Sequence, residues 1–248
     1  MNIQPTSTVG EIAAQSLQAV RAFEKAGIDY CCGGRKSIQQ ACSEKGIPWE
    51  PLAAAIQAET AADTANDATR DWHREPMSAL IRHILSTHHE YLKSELPRLS
   101  GELGRVQKAH PKHADIIAPL MEVYTALFAE LDPHMAKEER VLFPHIERME
   151  AAADSGQPFA RPPFATFRNP IGMMESEHET AGQCLAEIRR LTADFTPPPD
   201  ACATWRALYA GLAELEKDLH RHIHLENNIL FPRALVLETR MAEELAAR

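Results

Sequence analysis

Two stretches of this chain are copies of one another, and few architectures can use such a pair. His134-Met-Ala-Lys-Glu138-Glu-Arg-Val-Leu-Phe-Pro144 returns as His222-Ile-His-Leu-Glu226-Asn-Asn-Ile-Leu-Phe-Pro232. Upstream of His134, Leu120, Tyr124, Leu127 and Leu131 follow in alternating steps of four and three. Leu208, Leu212, Leu215 and Leu219 hold the same offsets before His222, and Val141 and Ile229 continue the pattern downstream. That spacing makes each set one inward stripe of a helix, which needs partner helices to cover it. Breaks at residues 109–112, 154–170 and 196–200, marked by Pro and Gly, leave four long helical segments from residue 73 to about 240. Asn169-Pro170 reads as an N-cap followed by proline at the first helical position. Alternating β-branched runs are nearly absent and helix formers dominate, so the fold is all-α, an up-and-down four-helix bundle over residues 73–240.

Each apolar stripe carries one His and one Glu at i, i+4, neighbours on a helix face. A core carboxylate is costly unless paired or metal-bound. One such pair reads as a buried hydrogen bond; two at matched positions read as metal ligands. The third helix adds His178, with Met174, Leu185 and Ile188 on its face. In the first helix His89 is chosen over His88, because the same offsets give Leu85, Leu96 and Leu99 from His89 but Ile84, Glu95 and Arg98 from His88. The intervals from His89 to His134 and from His178 to His222 are nearly equal. His89, His134, Glu138, His178, His222 and Glu226 exceed what one tetrahedral zinc takes. They suit two non-haem irons, carboxylate-bridged and oxo- or hydroxo-linked, each with an open position for a small molecule. His220 and His224 fall on the opposite face from His222. His73, His110 and His113 lie near helix ends, His83 and His145 are peripheral, and Glu130 and Glu177 read as solvated charges. Proline at 133, directly before His134, is expected to kink or restart that helix.

Residues 1–60 form a smaller helical domain. Thr8 and Glu11 make a capping box for a helix running to Phe23 and stopped by Gly27. Ser37 and Gln40 make another, for a helix ending near Gly46, and a third helix spans residues 49–59. Residues 58–71 read as a linker. With few large apolar side chains the unit is expected to dock or to form a homodimer. Asp29-Tyr30-Cys31-Cys32-Gly33-Gly34 lies between the first two helices. Its paired thiols, in a turn near a helix start where thiolates are favoured, suggest a redox or metal-transfer role. Cys42, Cys184 and Cys202 read as small buried residues. Five scattered cysteines make no disulfide scaffold. A net charge of −9 without a basic run argues against nucleic acid or an anionic membrane as partner. No apolar stretch is long enough to span a bilayer and the first residues have no leader pattern, so a cytoplasmic location is expected.

The motifs H-x-x-x-E-E-x-x-L-F-P and H-x-x-x-E-N-N-x-L-F-P, with M-E-S-E-H between them, resemble the hemerythrin-like half of the di-iron iron–sulfur cluster repair family. D-Y-C-C-G-G is similar to that family's N-terminal ScdA-type domain. The resemblance spans nearly the whole chain. It implies iron ligands at His89, His134, Glu138, His178, His222 and Glu226, and paired functional cysteines at Cys31 and Cys32. It further implies a stress-response role in restoring iron–sulfur proteins damaged by nitric oxide or oxidation. It also implies binding of nitric oxide or another small diatomic ligand. Turnover of nitric oxide is left open. The competing reading is a hemerythrin-like protein that only sequesters nitric oxide or carries dioxygen; the thiol module favours repair.

Overall fold

A computed structural model describes residues 2–63, 71–157, 159 and 162–246. These residues contain helices and turns, with one isolated antiparallel bridge between Thr8 and Ser37 and no strand among them. The chain is all-α, and by packing it divides into two units: residues 1–81, 146–167 and 220–248, and residues 82–145 and 168–219.

In the first unit, α1 (Val9–Gln15) opens on the expected capping box. Glu11 N–H donates to Thr8 Oγ1 at 3.2 Å, and Thr8 N–H to Glu11 Oε2 at 3.1 Å. The helix does not continue to Phe23. Ser16 is extended, ends α1 and caps α2 (Leu17–Ala26) through its own hydroxyl, because a Ser side chain satisfies orphan amides better than it supports a helix interior. Gly27, left-handed at φ 63°, stops α2 as expected. In α3 (Ile38–Glu44) the Ser37 hydroxyl takes Gln40 N–H, but the Gln40 side chain turns to Glu44, so the second capping box is only half formed. The third helix, α4 (Trp49–Asp63), runs into the segment read as a linker, whose Ala-rich start is itself helix-forming; residues 64–70 of that linker lie outside the described residues. Phe23, Ile38 and Ile56 are fully buried at the centre of this N-terminal core. The unit also contains α5 (Met77–His83) except for its last two residues, most of α8 (Phe143–Asp154) and α11 (Phe231–Ala246). Glu150 of α8 caps the first turn of α5, taking Met77 and Ser78 N–H at 2.6 and 2.8 Å.

The second unit is the four-helix bundle. Its core interleaves Leu92, Leu96, Leu99 and Leu103 of α6 (Glu90–Ala109) with Leu120, Tyr124, Leu127 and Leu131 of α7 (Ala114–Lys137). Leu185 and Ile188 of α9 (Arg168–Leu191) and Leu208, Leu212, Leu215 and Leu219 of α10 (Ala203–Leu225) complete it. α7 carries Pro119 and Pro133 inside one uninterrupted helix; Pro133 faces solvent, and the helix does not restart there. α9 begins at Arg168, so Pro170 sits inside its first turn, where a missing N–H costs no helix bond.

Three wider turns of π-helix interrupt the long helices: Ile84–His89, Glu138–Leu142 and Glu226–Leu230. Each inserts a residue into the 3.6-residue rhythm and shifts the register around it. The stripe therefore departs from the expected one in the first helix: Ile84 is buried and Leu85 half-buried, and His88 and His89 are both turned inward. Val141 is 41% exposed, whereas its repeat partner Ile229 is 2% exposed. The difference has a local cause, since α1 packs on the turn that carries Ile229.

Candidate metal centre

Within the bundle unit, His89, His134, Glu138 and His178 are all buried. Glu138 Oε2 lies 3.4 Å from His89 Nε2 and 3.5 Å from His134 Nε2, and His134 Nε2 faces His178 Nε2 at 3.1 Å. The donors of His134, Glu138 and His178 fall within 4.8 Å of one another. The ring nitrogens opposite are held by carboxylates. His89 Nδ1 is 2.8 Å from Glu139 Oε1, and His134 Nδ1 is 2.7 Å from Glu177 Oε2. A carboxylate only accepts, so Nδ1 carries the proton and Nε2 presents its lone pair inward.

Burial alone would raise the Glu139 and Glu177 carboxyls. Hydrogen bonds from Lys93 and His89 to the first, and from Lys137 and His134 to the second, outweigh it and leave both below the ordinary range. Glu177 is thus not a solvated charge. Glu130 is exposed, as expected of one. Glu139 carries no signal in the repeat, because its counterpart is Asn227. His88 is buried as well, its Nδ1 2.8 Å from Asp218 Oδ1.

Whether this set suits a cation is decided by Glu138. It is 0% exposed, and neither carboxylate oxygen has a hydrogen-bond partner among the described residues. A bare buried carboxylate flanked by imidazole lone pairs is strongly unfavourable without positive charge between them. The residues fit a metal. In the other unit His222 and Glu226 repeat the arrangement, both buried, with His222 Nε2 3.0 Å from Glu226 Oε1.

The thiol loop is in that same unit. Asp29 organises it, accepting Cys31 and Cys32 N–H on Oδ1 at 3.0 Å each and Gly33 N–H on Oδ2 at 2.9 Å. Cys31 is buried and Cys32 half-buried, with sulfurs 3.9 Å apart. The expected thiolate at Cys31 is not what the loop favours. The adjacent Cys32 sulfur, burial and then the Asp29 carboxylate hold the Cys31 thiol well above its ordinary range.

His220 and His224, expected on the face of α10 away from His222, lie against this loop. His224 is buried with its ring edge-on to Tyr30 at 5.4 Å, and burial pushes it down to about 4. His220 lies against Tyr30 at 6.2 Å. The Tyr30 hydroxyl donates to Glu24, which Arg221 clasps through two nitrogens at 3.2 and 3.3 Å. The Asn228 amide donates to the Tyr30 and Cys31 carbonyls at 3.2 and 3.3 Å. A Cβ at Gly10 or Gly34 would lie 2.3 Å from Asn228 Oδ1, so both positions need glycine. Within this unit the loop and α2 thus pack on residues 220–228.

Cys42 is buried as expected, but Cys184 and Cys202 are only partly so. The neighbouring His110, then the backbone amides of Trp205 and Thr204, bring the Cys202 thiol down to about 7.

Buried imidazoles and carboxylates inside a helical bundle define a hemerythrin-type, cation-binding protein. Residues 80–234 match the Hemerythrin HHE cation binding domain, and residues 5–60 match ScdA_N, a domain of unknown function. Curated relatives named iron-sulfur cluster repair protein YtfE, from Citrobacter koseri and Escherichia coli, are each 37% identical over 230 residues, covering 93% of this chain and 97% of theirs. One from Cronobacter sakazakii is equally identical over 96% of its length. The chain belongs to the hemerythrin HHE family, in the branch of the iron–sulfur cluster repair proteins. No helix among the described residues is long and apolar enough to cross a membrane.

Proposed function

We propose that the chain is a di-iron protein that repairs iron–sulfur clusters damaged by nitric oxide or oxidation. Its functional parts are residues 1–60, carrying Cys31 and Cys32, and residues 73–240, carrying the metal centre. The residues that would hold the two irons are those the sequence pattern names, His89, His134, Glu138, His178, His222 and Glu226. The observation that carries this reading is the buried, donorless carboxylate of Glu138 between two ligand imidazoles. Nitrogen and oxygen donors without sulfur, more than four in number, favour a pair of irons over copper or a structural zinc. When bound, the pair supplies one-electron redox change and open positions for a small diatomic ligand such as nitric oxide.

The residues do the rest. Glu139 and Glu177 keep the imidazole protons on Nδ1, and the leucine stripes below the donors exclude water from the bundle core. Cys31 and Cys32 serve repair rather than metal retention in the bundle, since the His/Glu set is complete without sulfur. A Cys31→Ala/Cys32→Ala variant is therefore expected to keep two irons and to lose reactivation of a nitric-oxide-damaged iron–sulfur enzyme. Full reactivation by that variant would sink the thiol role. Anaerobic mixing of the diferrous protein with nitric oxide separates the two readings of the bundle: nitrous oxide in the headspace means turnover, and a stable adduct without it means sequestration.

A further inference from the structure

The loop at residues 29–34 holds a second convergence of ligating atoms. Cys31 Sγ is 3.9 Å from Cys32 Sγ and 3.2 Å from Asp29 Oδ1, and one donor atom from each of the three residues lies within 4.8 Å of the others. The sulfurs are far beyond the ~2.05 Å of a disulfide. A tetrahedral thiolate site with metal–sulfur bonds of ~2.3 Å has a sulfur–sulfur edge of ~3.8 Å. The loop presents that edge already formed.

The third donor is fixed too. Three backbone N–H groups hold the Asp29 carboxylate, and Asn228 holds the Tyr30 and Cys31 carbonyls. Cys31 is buried, Cys32 half-buried and Asp29 exposed, so the cluster has a closed side and an open one. A site of that shape can load and unload from solvent.

We propose that Asp29, Cys31 and Cys32 form a mononuclear, exchangeable site for a soft or borderline divalent cation, ferrous iron being the occupant that suits a cluster-repair protein. The role rests on the repair reading, but the site itself does not. Binding forms two metal–sulfur bonds and one metal–oxygen bond and expels the thiol protons to solvent. No electron is transferred. Remaining coordination positions stay with water or pass to thiolates of a recipient, which is what transfer requires.

Zinc is the probe. The full chain with its irons in place is dialysed anaerobically against graded zinc, and both metals are counted by mass spectrometry. The expected result is one zinc per chain with two irons retained, and acidification of a weakly buffered solution on uptake. Cys32→Ser, at a half-exposed position, should weaken zinc binding by roughly tenfold or more while leaving iron content and far-ultraviolet circular dichroism unchanged. Cys31→Ser/Cys32→Ser should abolish zinc uptake, and Cys202→Ser should not affect it. Zinc uptake matched by iron loss, no uptake by wild type, or unchanged uptake by Cys32→Ser would each overturn the site. None of these outcomes depends on the repair assay.

Discussion

Glu177 and Glu139 act through the atoms they hold. Each fixes the tautomer of an imidazole proposed as an iron ligand, and loss of such a partner commonly costs 10–100-fold in metal affinity, on the order of 1.4–2.7 kcal/mol. Glu177→Gln and Glu139→Gln are therefore expected to weaken iron retention by roughly that factor under a chelator challenge, while Glu130→Gln does not. Equal retention in all three would remove the two carboxylates from the centre. Cys202 gives a second test at this scale. Its thiol, lowered to about 7 by His110 and nearby amides, is half ionised near neutrality. Alkylation followed by peptide mapping should rise with a midpoint about two pH units below that of an ordinary thiol at 9, and His110→Ala should move the midpoint up. Because the folded pKa is depressed, the unfolded chain binds more protons between pH 7 and 9, and this group favours folding as pH rises through that window. Choosing between His88 and His89 from sequence used leucine offsets that assume an ideal helix. The π turn breaks that assumption, and the partner of His88, Asp218, is remote in sequence.

The π turns that carry Glu138 and Glu226 have a cause in the repeat. In each, the following Phe, at 143 or 231, donates its N–H five residues back to the glutamate's own carbonyl. Pro144 or Pro232 comes next. Proline has no N–H for the residue four before it, Arg140 or Asn228, and its ring crowds that carbonyl, so widening the turn relieves the clash. Leu-Phe-Pro after His-x-x-x-Glu is thus a structural signal, legible once its consequence is known. Pro144→Ala and Pro232→Ala should allow ordinary helical winding and rotate the glutamate away from the imidazoles beside it. Each variant is expected to fold by circular dichroism yet to hold fewer than two irons per chain; a full complement in both would break the link between proline and ligand. The longer pattern was readable for simpler reasons. Alternating steps of four and three place Leu120 through Leu131 and Leu208 through Leu219 in one core, and Gly27 stops a helix wherever it adopts the left-handed form. Ser16 splitting α1 from α2 was not readable, because a lone Ser inside an apolar-periodic run is equally compatible with a helix interior. Gly10 was not either, since its need for glycine comes from Asn228, far along the chain.

For the whole molecule, the Glu138 carboxylate stores a conflict that the proposed metal would resolve. Glu138 is 0% exposed, and burying a carboxylate without positive charge costs several kcal/mol. Bound cations offset that cost only in the folded state, so chelation must lower stability by linkage. At a metal concentration about 1,000 times the dissociation constant, the loss is about 4 kcal/mol. For a chain of this size that corresponds to roughly 10 °C in Tm. Anaerobic calorimetry of the protein before and after chelation, with ferrous iron restored at the end, measures it. A loss of Tm alone would also follow from nonspecific damage, so Glu138→Gln supplies the sharper test. The amide removes a charge that bound metal would compensate. In the presence of iron the variant should melt below wild type, having lost a proposed ligand. After chelation the order should invert, the variant melting above wild type, because an uncharged buried group costs less than a bare carboxylate. A residue that merely packs the core would destabilise both forms alike. Absence of the inversion would therefore remove Glu138 from the metal centre, whatever its effect on repair.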